Sequence, residues 1–130
     1  MDRRRISSAQ PLEQRYGYSR AVVCDGHVHV SGTVATMPDG GDPPAEAYAQ
    51  ARRAFEIILD ALAEAGASPE NVVRTRIYVT RAEDMEAVGQ AHGEIFGLVR
   101  PATTALVVGL LDPRWLVEIE VEAVLARAAG

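Results

Sequence analysis

From Val117 to Val124 the chain alternates apolar and acidic residues without a break: Val117, Ile119, Val121 and Ala123 interleave with Glu118, Glu120 and Glu122. Successive side chains of a strand point to opposite faces, so this run has one apolar face and one face bearing three carboxylates. Carboxylates two residues apart on one strand lie roughly 6–7 Å from each other, close enough for each to disfavour ionisation of the next. The acidic face either meets water, as is ordinary for an antiparallel sheet, or is put to use. A second β-rich run, Arg100–Val108, precedes it across a loop through Asp112-Pro113-Arg114-Trp115. The two read as consecutive strands.

Upstream, the segments Tyr16–Cys24 and His27–Gly32 flank Asp25-Gly26. Asp-Gly between β-rich runs favours a tight hairpin, because glycine takes the positive φ that primed turns require. Asp39 to Pro44 is loop chemistry. From Ala45 to Ala65 the residues Ala47, Ala51, Ala54, Phe55, Ile58, Leu59 and Leu62 recur at three- and four-residue spacing, which predicts an amphipathic helix ended by Gly66. Val72–Val79 reads as a strand. A second helix is expected over Ala82–Phe96, with Met85, Val88, His92, Ile95 and Phe96 as its stripe and Gly97 closing it. The order is hairpin, helix, strand, helix, strand, strand: an α+β fold. Two helices can cover only one face of a sheet of about five to six strands. The other face is expected to be buried against further copies of the chain.

At 130 residues and 48% hydrophobic content, the chain has the size of one domain, 16–130, behind an N-terminal arm, 1–15. Arg3-Arg4-Arg5 in that arm is expected to be mobile and solvated. Eighteen acidic against 13 basic residues give a net charge of −5, so the overall field repels polyanions and nucleic acid is not the expected partner. Cys24 is the only cysteine, so no intramolecular disulfide framework is expected. No stretch approaches a membrane span, and no long apolar segment follows the arginines; a cytoplasmic protein is expected. His27-x-His29 could hold a metal, but neither a CxxC nor an HExxH accompanies it, and no metal is expected. Cys24 has no adjacent cation to activate it. No G-x-S-x-G elbow or phosphate-binding glycine loop is present.

The pieces Tyr18-Ser19-x-Ala21, Val30-Ser31-Gly32-Thr33, Ala61–Gly66 with Val72-Val73-x-Thr75, Arg100-Pro101-Ala102 and Val117-Glu118-Ile119-Glu120 occur in one order across nearly the whole chain from Tyr16. Together they resemble the Rid family (reactive intermediate deaminase, also called YjgF). The resemblance implies a chorismate-mutase-like α+β fold, a homotrimer with three ligand sites in clefts between subunits, and no cofactor. Family members that hydrolyse enamines or imines typically carry Arg directly after the Pro-Ala, where it clamps a substrate carboxylate. Here that position is Thr103, which offers one hydroxyl and no charge. An asparagine common on the family's second helix is replaced by Gly89.

The resemblance also carries over Tyr18 as a possible donor to the ligand, Gly32 as a position whose missing side chain leaves room, and Glu118 as the group that holds or deprotonates water. A carboxylate among other acids is a reasonable general base. Arg20, Arg76 or Arg114 could replace the missing cation, although a surface role is the simpler expectation for each. Trp115 either walls a pocket or anchors its loop. The expected function is hydrolysis or deamination of a labile enamine, imine or related small molecule that need not bear a carboxylate. A ligand-binding or regulatory trimer without catalysis is the alternative. The ribonuclease activity attributed to some relatives fits the net charge poorly.

Overall fold

The structure, a computed structural model, describes residues 2–126. The strands are β1 (Arg3–Ile6), β2 (Ala21–Cys24), β3 (His27–Thr33), β4 (Val72–Val79), β5 (Ala102–Val107) and β6 (Val117–Val124). The helices are α1 (Pro11–Tyr16), α2 (Ala47–Ala65) and α3 (Met85–Phe96). All six strands form one mixed sheet in the order β1-β2-β3-β6-β4-β5. No helix among the described residues is long and apolar enough to cross a membrane.

The expected alternation of β6 is what seats it near the middle of the sheet. Val117, Ile119, Val121 and Ala123 are buried, and the three glutamates between them are half-exposed on the other side. β6 runs antiparallel to both β3 and β4. α2 lies across β3 and β6 and packs against α3, burying Ala51, Ala54, Phe55, Ile58 and Leu62 against the sheet. Among the described residues no helix covers the opposite face. Asp25 and Gly26 both adopt positive φ, at 50° and 81°, and close the β2–β3 hairpin as its sequence requires.

Four features correct or extend the sequence expectations. First, Arg3–Ile6 is not a solvated arm but an edge strand paired antiparallel to β2, with Ile6 buried in the core. Arg4 fastens it by donating to the carbonyls of Glu64 (3.4 Å) and Ala65 (2.8 Å) at the end of α2, where unpaired carbonyls attract a cation. α1 follows, so most of residues 2–15 lie in strand or helix; residue 1 and the last four residues of the expected 16–130 domain lie outside the described residues. Second, β5 and β6 are the consecutive strands expected, and in the sheet β4 lies between them, parallel to β5. Alternation reports which face a side chain takes and says nothing of which strand sits alongside. Third, the helices begin later, at Ala47 and at Met85, the latter after a 3₁₀ turn over Ala82–Asp84. Fourth, Gly97 closes α3 as expected but does so in a right-handed conformation, φ −56°, while Arg100 takes a positive φ of 55°.

One buried polar side chain ties the loop before α2 to the loop that leads into β6. Gln50 donates to the carbonyls of Pro44 (2.8 Å) and Arg114 (2.9 Å) and accepts from the Leu116 amide (2.9 Å). It is 1% exposed. Gln50→Leu keeps the volume but strips three backbone groups of partners, and a buried polar group left unpaired costs about 1–3 kcal/mol. The variant is expected to lower the urea unfolding midpoint by an amount corresponding to about 3 kcal/mol. A midpoint unchanged from the native protein would show that the loop finds other partners.

Candidate functional site

Each carboxylate of the acid row meets a different environment because β4 supplies different partners. In register, Glu118, Glu120 and Glu122 oppose Tyr78, Arg76 and Arg74. The Tyr78 hydroxyl donates to Glu120, which raises the phenol's pKa. Arg76 pairs with Glu122 at 3.3 Å, and His29 Nδ1 lies 3.6 Å from the same carboxylate oxygen. Arg74 donates to the Thr104 hydroxyl at 2.9 Å. Arg76 thus serves the row itself, while His29 and the neighbouring His27 remain exposed.

Glu118 is not drawn into a hydrogen bond with β4 among the described residues. Burial raises its pKa above the ordinary 4.5, the nearby Glu120 adds to the rise, and Arg20 opposes it. The carboxylate lies directly over Gly32: a Cβ placed there would be 2.6 Å from Glu118 Oε2. Any side chain at 32 would displace it. Gly32 therefore leaves room for Glu118 itself.

Arg20 sits beneath this pair and is partly buried, not a surface residue. Its Nη2 donates to the Ser31 carbonyl (2.6 Å), the Gly32 carbonyl (3.1 Å) and Thr33 Oγ1 (2.6 Å). Its Nε is buried without a partner among the described residues. The guanidinium holds the backbone on which Glu118 rests. It is close enough to Glu118, Tyr18 and Glu13 for all three to act on its charge, against the burial that lowers its pKa.

Tyr18 is exposed and opens onto a cleft of about 520 Å³ lined by Arg5, Ser7, Gln10, Glu13 and Ser19. Most of that lining comes from the segment expected to be an arm. Glu13 is 7% exposed and accepts from the Ser7 hydroxyl (3.0 Å), the Ser8 amide (3.0 Å) and the Ser8 hydroxyl, so it folds this segment back. Those hydrogen bonds hold its pKa below 4.5 against the opposing effect of burial. Alternating and helical periodicity is silent about such a turn, so Glu13 carries no signal of its role in the linear sequence.

One protomer brings Tyr18, Arg20, Gly32 and Glu118 together, and leaves the other candidates elsewhere. Arg114 is bound by Asp112 and Asp42, each at 3.0 Å, and stacks 5.4 Å from the Trp115 ring centroid in its own loop. Thr103 lies on edge strand β5, in register with Thr75 on the helix-facing side, whereas Glu118 is on the bare side. Thr103 can join Glu118 only if a second copy brings one to the other.

The Endoribonuclease L-PSP family model matches residues 8–125. An uncharacterised protein of Streptomyces coelicolor is 45% identical over 125 residues, covering 92% of this chain and 90% of the relative. The chain is a member of the YjgF/Rid family. A RutC family protein of Pyrococcus abyssi is 31% identical, over 79% of this chain and 82% of its own. Among solved structures, a member of the YjgF/YER057c/UK114 family from Mycobacterium tuberculosis superposes with a TM-score of 0.87 at 40% identity, covering 95% of this chain and all of that one. The family match begins at residue 8, within the segment that folds against Tyr18. In this Rid member the family fold thus includes part of the expected arm.

The raised pKa of Glu118 fixes the sign of a pH effect. A carboxyl whose folded pKa exceeds its unfolded value binds more protons in the folded state, so its stability contribution is full at acid pH and is lost as pH rises through the folded pKa. Glu118→Gln removes that loss. Thermal unfolding should show the variant matching the native protein near pH 4 and exceeding it by pH 7; equal midpoints throughout would show that Glu118 ionises freely.

Proposed function

We propose that this Rid member hydrolyses a labile enamine, imine or related small molecule in a cleft completed between copies of a homotrimer. The observation that supports it most directly is the seating of Glu118: a partly buried carboxylate with a raised pKa, set over a glycine and beside a clamped arginine. Such a group can take a proton near working pH. It accepts a proton from water as the water oxygen bonds to the imine carbon and the C=N electron pair moves to nitrogen. Glu118 returns that proton to the nitrogen to give the carbinolamine, then takes the hydroxyl proton and passes it to the amine as the C–N bond breaks, giving a carbonyl compound and ammonia; an enamine follows the same path after tautomerising to the imine. Tyr18 lines the adjoining cleft, which supports its role in orienting the substrate.

The homotrimer is supported by what one copy leaves uncovered. β5 is an edge strand with Leu106 50% and Val107 60% exposed, and among the described residues the sheet face carrying the acid row has no helix on it. Exposed edges of this kind are normally paired or covered. A second reading, a ligand-binding trimer without catalysis, is favoured by Thr103, because the cation that clamps a carboxylate in the family's imine hydrolases is missing. The ribonuclease named in the family description remains a property of the proteins it was named for, and the net charge of −5 opposes polyanion binding.

Ammonia release from a panel of freshly generated imines tests the reading. Native protein should accelerate release, and Glu118→Gln should lower the rate about a hundredfold, the usual scale for losing a general base. Equal rates in the two proteins, or none in either, would leave only the binding role. Light scattering should return a particle of three times the 14.0 kDa chain mass; a stable monomer would remove the shared cleft.

A further inference from the structure

His92 occupies the apolar stripe of α3, between Phe55 and Phe96, with ring centroids 6.0 and 4.9 Å away. It is not merely a core residue. Its Nε2 lies 2.9 Å from Thr75 Oγ1, Thr75 Oγ1 lies 2.8 Å from Thr103 Oγ1, and Thr103 Oγ1 lies 3.1 Å from the Pro101 carbonyl oxygen. Thr75 is fully buried and Thr103 is exposed. A file of hydrogen bonds thus runs from the helix layer to the sheet edge, and reaches the position where the family's imine hydrolases typically carry an arginine.

Counting hydrogens sets its direction. A carbonyl only accepts, and a threonine hydroxyl has one hydrogen to give. Thr103 gives its hydrogen to Pro101, so Thr75 must donate to Thr103, and Nε2–H of His92 must donate to Thr75. We infer that His92 is a positioning residue which, through Thr75, holds Thr103 as a neutral hydrogen-bond donor for an uncharged carbonyl oxygen of the ligand. This rests on the reading of Thr103 as part of the ligand cleft and narrows its substrate class.

Two features favour a carbonyl over a carboxylate. Donors in series polarise one another, so the terminal Thr103 hydroxyl is a stronger donor than an isolated one. The file also has no cation to offer: burial lowers the pKa of His92, keeping the imidazole neutral at neutral pH. A carboxylate seated there would lose hydration without gaining a counter-charge. When a ligand arrives, only the last hydrogen need turn, from Pro101 to the ligand oxygen, and the rest of the file keeps its direction.

Pyruvamide and pyruvate are suitable probes, being close in size and differing in charge. The native protein should bind pyruvamide more tightly than pyruvate, and Thr103→Arg should reverse that order by supplying a fork for the carboxylate. Thr103→Val and Thr75→Val should each weaken pyruvamide about three- to tenfold, the scale of one hydrogen bond. Thr75→Ser, which keeps the hydroxyl, should restore binding. If Thr75→Val fails to fold, the exposed Thr103→Val still decides. In the ligand-free protein, ¹⁵N spectra, with the resonance assigned by its loss in His92→Gln, should show His92 protonated on Nε2. The proposal is overturned by an Nδ1–H tautomer, by unchanged affinity in Thr75→Val or Thr103→Val, by a native preference for pyruvate, or by binding of neither probe. Should these fail while Glu118→Gln still slows imine hydrolysis, the hydrolase reading stands without the file; the converse result leaves the ligand class standing without the catalysis.

Discussion

The contact on which the rest depends is the seating of β6 between β3 and β4. That placement buries Val117, Ile119 and Val121 beneath α2, and by the same alternation it commits Glu118, Glu120 and Glu122 to the uncovered side. Three carboxylates along one strand would repel one another in an isolated hairpin. Here β4 supplies Tyr78 to Glu120 and Arg76 to Glu122. The row is a set of paired groups with one exception, and Glu118 is that exception.

Glu118 owes its character to three different parts of the chain. Gly32 yields the space for it, Arg20 pins the backbone beneath that glycine, and the folded-back segment carrying Glu13 and α1 builds the cleft beside Tyr18. None of these groups is chemically unusual alone. Burial and the neighbouring Glu120 raise the pKa of this carboxylate, whereas the same residue type two and four positions later is held by Tyr78 and Arg76.

The other end of the proposed cleft is built on the opposite principle. Thr103 stands on β5 and is supported from the helix layer through Thr75 and His92, with no formal charge in the file. In one protomer it faces away from Glu118, so the two ends can cooperate only across an interface between copies. The exposed Leu106 and Val107 on the same strand are the apolar surface that such an interface would cover.

Much of this was legible in the linear chain. The periodicity of Val72–Val79, Val117–Val124 and Ala47–Leu62 specified strands and a helix, because burial of one face imposes a repeat that local sequence must satisfy. The family motifs pointed to Tyr18, Gly32, Glu118 and Thr103. What periodicity does not encode is which elements become neighbours. Strand order, the pairing of Arg3–Ile6 with β2, the burial of Arg20 and the alignment of His92, Thr75 and Thr103 come from contacts between residues far apart in the chain. Only tertiary packing brings such groups within hydrogen-bonding range, and their chemistry follows from that range.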